Sequence, residues 1–178
     1  VTTWVAAQTF TSKPITLVLP AATGGTTDIA ARMLAPALSS ALGQSVVVDN
    51  KSGGNGAIAA QLVKRADPDG HTLLMATGSN AINAALYERM TYDFLRDMAP
   101  VAAIMRTPLV MEVHPAVPAR SVSEFIAYAK ENAGKINMGS FGVGGSGHLA
   151  GELLRMMTGI EFTHVPYRGS APLVTDLI

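Results

Sequence analysis

The sequence predicts an α/β protein of parallel strands joined by helical crossovers, and three observations carry that expectation. From Pro14 onward, short apolar runs alternate with Gly/Ser/Thr loops and amphipathic stretches of helical spacing, which is the signature of β-α-β units. The composition is 48% hydrophobic and only 15% charged, as in a folded globular chain rather than a disordered one. Much of the apolar content is Ala, beside 17 Gly, and small residues let a helix lie close on a sheet.

The elements follow in order. Ile15–Leu19 is a continuous apolar run closed by Pro20, the form of a buried strand. Asp28 to Leu42 has helical spacing, with Ile29, Met33, Leu34, Leu38 and Leu42 expected on the inward face and Gly43 as the stop. Pro36 predicts a kink or an early break in that helix. Val46 to Val48 is the second strand, Ala57 to Ala66 the second helix with Ile58, Leu62 and Val63 inward, and Asp67-Pro68-Asp69-Gly70 a turn before a strand at Thr72 to Ala76. The rhythm breaks near Asp97–Pro100, where Val101 to Met105 and Leu109 to Val113 are apolar runs with no helix between them. That pattern fits a crossover between lobes, and equally an irregular hairpin. Helix Val122 to Asn132, strand Ile136 to Met138, helix His148 to Met157, strand Phe162 to Val165 and a helix from Ala171 complete the reading. Because no strand follows the last helix, the chain reads as a fragment with an exposed edge.

Lys+Arg and Asp+Glu both number 13, so the formal net charge is zero. A nucleic-acid partner, which calls for a basic excess or stripe, is not expected. There is no cysteine, which removes disulfides and thiolate metal sites from consideration and leaves the compartment open. Val1 to Ala7 is uncharged and ends in Val-Ala-Ala. It reads either as a secretory signal-peptide remnant or as an ordinary N-terminal tail. No run reaches the roughly 18–20 apolar residues of a membrane span.

The chemistry-bearing feature is a set of loops rich in Gly, Ser and Thr, each leading into a helix. They are residues 21–27, 77–80, 139–147 and 168–170. Loops at the carboxyl edge of parallel strands are where ligands bind, and helix N-termini offer unpaired N–H groups and a positive dipole end to an anion. Arg168 is the one cation in these loops, which favours a carboxylate held by neutral donors over a triphosphate. Taken singly, each loop is also explained by turn and N-cap chemistry.

Gly142-Val143-Gly144-Gly145-Ser146-Gly147 fits G-x-G-x-x-G, which opens a nucleotide-dependent oxidoreductase as an alternative. The acid that would hold a ribose, Glu161, falls at the start of the next strand rather than at its far end. His71, His114, His148 and His164 show no metal-ligand spacing with one another or with a carboxylate. Gly139-Ser140-Phe141-Gly142 is not a nucleophile elbow, which needs Gly two residues either side of Ser, and Asp28 and Asp176 have no acid–base partner. No catalytic residue, metal or cofactor is expected.

The loops carry a resemblance. Pro14 to Pro20 with Gly24-Gly25-Thr26-Thr27-Asp28, Asp67 to Leu74, Asn83 to Tyr87, Asn137 to Leu153 and His164 to Pro172 resemble the solute-binding (Bug) receptors of tripartite tricarboxylate transporters. The resemblance runs from about Pro14 to Ile178. It implies a type II periplasmic-binding fold with two α/β lobes and a cleft that closes on a small carboxylate. It further implies a periplasmic location, integral membrane permease subunits as partners, and no catalysis. The residues it implies for ligand binding are Ala22, Gly24, Thr27 and Asp28 from the first lobe. From the second come Ser140, Gly145, Ser146 and His148, with Ser79 and Tyr167 in support. Asp28 is expected to orient its loop rather than touch an anion. Ala21 stands where the family commonly has Phe, and family members run well past Ile178. The expected organisation is a signal-peptide remnant at 1–7, the first lobe at 8–100 and the second at 101–178, both lobes unfinished. A functionless remnant, or a homodimer paired or swapped through open edges, is the remaining alternative.

Overall fold

In the computed structural model, which describes residues 12–178, the run Ile-Thr-Leu-Val-Leu forms β1 (Ile15–Leu19). β1 is the middle strand of a three-stranded sheet, with β2 (Val46–Asn50) on one side and β3 (Thr72–Leu74) on the other. Both ladders are parallel, with Ile15 opposite Val46 and Thr16 opposite Thr72. A central parallel strand is covered on both faces, and Ile15, Leu17, Val18 and Leu19 are all buried. The reading of residues 1–7 as a signal-peptide remnant lies outside the described residues.

Helix α1 (Thr26–Leu42) follows β1 and ends at Gly43, whose φ of 66° and ψ of 17° make the left-handed stop that glycine adopts without strain. The helix continues through Pro36 without the expected break. Its packed face also differs from expectation: Ala31 and Ala35 are buried with Asp28, while Ile29 is 54% and Met33 77% exposed. The small-residue stripe is the one that seats the helix on the sheet, against Leu17, Leu19 and Met75. The same correction applies to α2 (Ala57–Arg65), where Ala59 and Ala60 are buried and Ile58 is exposed.

The chain divides into two compact units, one ending at Ala76 and the other spanning Thr77–Ile178. The sequence placed the change between residues 100 and 101. The difference lies with α3 (Gly78–Leu86), which packs against α6 (Ser146–Thr158) of the second unit. Neither α3 nor the short α4 (Phe94–Asp97) is evident from periodicity. Residues 98–114 contain neither strand nor helix.

In the second unit, α5 (Val122–Glu131), β4 (Asn137–Ser140), α6 (Ser146–Thr158), β5 (Thr163–Pro166) and α7 (Ser170–Leu177) alternate, and β4 and β5 pair in parallel with Asn137 opposite Thr163. At Gly139, where α7 packs on β4, an added Cβ would crowd the tip of the Leu173 side chain. Among the described residues no helix is long and apolar enough to cross a membrane.

The packing makes a test. Ala31→Leu is expected to cost about 1–3 kcal/mol of stability by overpacking, whereas Met33→Ser is expected to stay within about 0.5 kcal/mol of the parent. Urea denaturation midpoints check both, and equal effects would contradict the Ala-face packing.

Candidate functional site

The loop from β1 into α1 is held by a ring of hydrogen bonds. The Gly24 N–H donates to Asp28 Oδ2 at 2.9 Å, and Arg32 Nε donates to both oxygens of that carboxylate at 3.0 Å. Arg32 also donates to Asn50 Oδ1 at 3.2 Å, and Asn50 Nδ2 returns to the Ala21 carbonyl at 3.0 Å. Both ends of the loop, the first turns of α1 and the tip of β2 are thus tied together. The Arg32 guanidinium, with the Gly24 amide, lowers the Asp28 carboxyl to about 2, so it stays ionised at any physiological pH. With its side chain only 3% exposed and both oxygens engaged, Asp28 orients its loop.

The loop from β4 into α6 repeats this construction. Gly25 and Gly145, which precede the two helices, have φ/ψ of −75°/164° and −74°/166°. The glycines before them, Gly24 and Gly144, have positive φ of 83° and 72°. Gly25 N–H donates to Ala22 O at 3.3 Å and Gly145 N–H to Gly142 O at 3.2 Å. Gly144 N–H donates to His148 Nδ1 at 3.0 Å, the counterpart of the Gly24–Asp28 bond. A charged residue stands four further on in each case: Arg32 beside Asp28, and Glu152 with Oε1 3.8 Å from His148 Nε2. Even the helix stops match, Gly159 having φ 69° and ψ 18°.

Behind the second loop lies a polar cluster. Ser140, at the end of β4 and 1% exposed, places Oγ 2.7 Å from His164 Nε2, and also donates to Gly142 O and accepts from Gly142 N–H. The His164 and His148 rings stack with centroids 3.9 Å apart. Burial pushes the His164 imidazole below its ordinary value, His148 adds to the shift and Glu152 opposes it. Tyr167 follows β5; its N–H donates to Ser140 O at 2.7 Å and its hydroxyl to Asp176 at 2.7 Å, a bond that raises the phenol.

The structure therefore gathers Ala22, Gly24, Thr27 and Asp28 around one loop, and Ser140, Gly145, Ser146, His148 and Tyr167 around the other. Ser79 stands apart in the first turn of α3. Neither α1 nor α6 has a side-chain cap at its N-terminus, so the leading N–H groups of Thr26, Thr27, Ser146 and Gly147 face outward from their helices without an intrahelical acceptor. That arrangement can take an anion without a counter-cation. Sequence reasoning missed Arg32 and Asn50, although Asp28 and Arg32 stand at helical i,i+4 spacing. Glu161 precedes β5, away from the edge at which the Gly142–Gly147 loop lies. Among the described residues no group of three or more His, Cys, Asp or Glu is placed to hold a metal ion.

Residues 30–178 match the family described as "Tripartite tricarboxylate transporter family receptor". The chain belongs to this family. Family relatives include the UPF0065 protein in the tcbD-tcbE intergenic region of Pseudomonas sp. strain P51, 40% identical over 169 residues, covering 95% of this chain and 50% of the relative. Protein BugT of Bordetella pertussis is 35% identical over 176 residues, covering 98% and 54%. Among solved structures, R. palustris Rpa4515 with adipate aligns with a TM-score of 0.86 at 42% identity, over 93% of this chain and 56% of that one. MatC from Rhodopseudomonas palustris with bound malate aligns with a TM-score of 0.84 at 30% identity, over 93% and 57%. The fold is that of these Bug-type receptors, and the chain spans about half the length of the relatives it matches.

The lowered His164 fixes a sign. A histidine disfavoured as a cation in the folded state contributes stability above its ordinary value of 6.5, and that contribution is lost as the pH falls below it toward the folded value. Urea midpoints are expected to decline from pH 7 to pH 5, and His164→Gln to flatten the decline. A slope unchanged in the variant would assign it to other groups.

Proposed function

We propose that this chain carries ligand-holding elements of an extracytoplasmic receptor that captures a small carboxylate and passes it to a membrane permease, with no chemistry done to the ligand. The observation that carries the reading is the duplicated, uncapped helix entry. Two loops of matching dihedral angles each present helix N–H groups and Thr or Ser hydroxyls, and neither contains a Lys or Arg. Such donors stabilise a carboxylate through partial charges, and release it without breaking an ion pair. Thr27 on one loop and Ser146 on the other are the proposed donors, and Ala22, Gly24 and Gly145 the proposed loop walls, the N–H groups of Gly24 and Gly145 being already engaged by Asp28 and the Gly142 carbonyl. Asp28 and His148 hold those contacts in place, and Ser140, Ser79 and Tyr167 support them. Family membership supports the same reading, as do the adipate and malate held by two of its structural relatives.

Calorimetric titration with adipate and malate, beside NADH, tests the proposal. A carboxylate is expected to bind and NADH to give no heat; binding of NADH with silence toward carboxylates would overturn it. For whichever acid binds, Thr27→Val and Ser146→Ala are each expected to raise Kd by about 3- to 10-fold, the size of one hydrogen bond.

A further inference from the structure

The two helix-entry loops are fastened by the same bond with different chemistry, and the difference has a functional consequence. In the first unit the acceptor of the Gly24 N–H is a carboxylate, held ionised by Arg32. In the second the acceptor of the Gly144 N–H is the Nδ1 of an imidazole. An imidazole nitrogen accepts only while it carries no proton.

We infer that His148 is a positioning residue that makes the Gly142–Gly147 loop acid-sensitive, releasing its hold on ligand as the pH falls, while the Gly24–Asp28 loop stays fastened. The Gly144 bond fixes the neutral tautomer, with the proton on Nε2 toward Glu152. A second proton must go on Nδ1. There it meets the Gly144 N–H donor to donor, and the fastening is lost. The resulting cation is stabilised by Glu152 on the same helix, 3.8 Å from Nε2. Protonation therefore exchanges a loop bond for an ion pair, which gives the loop two alternative states.

The surroundings contain few other charges. Glu152 is itself paired with Arg155 at 2.6 Å. From β5, His164 stacks on the ring, and two imidazolium cations at 3.9 Å repel. β4 contributes only Ser140, acting through His164. α3, which packs on α6, has no titratable side chain.

This inference rests on the carboxylate-receptor reading for its effect on binding, but the latch itself is testable without ligand. In 15N NMR spectra of the free chain, the Gly144 amide proton is expected to lose its hydrogen-bonded shift and its exchange protection between pH 8 and pH 5, with Gly24 unchanged. The double substitution His148→Asp with Glu152→Arg transplants the Asp28–Arg32 pair, and is expected to hold the Gly144 amide at both pH values. A Gly144 amide that behaves alike at pH 8 and pH 5 in the parent overturns the inference. So does an equal change in the double variant. For adipate, the parent's Kd is expected to rise about fivefold or more from pH 8 to pH 5, the worth of one bond, and the double variant's by less than about twofold. Binding at pH 8 that persists undiminished at pH 5 overturns the inference. Absence of carboxylate binding at pH 8 instead counts against the receptor reading and leaves the amide measurement to decide the latch.

Discussion

A helix whose first N–H groups carry no side-chain cap needs the loop before it to be held by something else. This constraint organises both units. Thr26 and Ser146, whose hydroxyls are well suited to capping, stand inside their helices, and glycines occupy the preceding position. The fastening is moved one turn along, to residue 28 or 148, which reaches back to a glycine amide four residues earlier. The helix end stays open while the loop is rigid.

The duplication extends this economy. A strand, a Gly-Gly entry, a helix with a left-handed glycine stop and a parallel returning strand occur twice, with backbone angles agreeing within a few degrees at the start and stop. What varies is the side chain that fastens the loop and the charge behind it. One copy has Asp with Arg; the other has His with Glu and a buried serine–histidine pair. Backbone geometry is common to the two copies, and their response to protons is not.

Much of the fold was legible because the signals were local. β1 is a bounded apolar run, and Gly43 marks a helix stop through its own backbone freedom. The inward faces of α1 and α2 were misread because hydrophobicity ranks Ile29, Met33 and Ile58 above alanine, while close approach to a sheet selects Ala31, Ala35, Ala59 and Ala60. α3 was hidden because Gly78-Ser79-Asn80 is loop-like by composition; here Thr77 and Asn80 form a capping box that starts a helix. In the candidate site, the glycine loops stood out in the sequence by composition alone. The pairs Ser140–His164, Arg32–Asn50 and His148–His164 join residues distant in sequence or across elements, so no spacing rule announces them.

The parallel pairing described above also governs how the chain reaches its native state. Every ladder among the described residues joins strands separated by a helix, so no tight hairpin is available to start a sheet. Each pairing must first close a loop that contains a whole helix, and the entropy of that closure is lost before the strands meet. β1 is fully paired only when both neighbours are in place, and α1, β2 and α2 all lie between it and β3 along the chain. The burial of Leu17 and Leu19 therefore depends on partners remote in sequence, and contacts of that kind are slow to find.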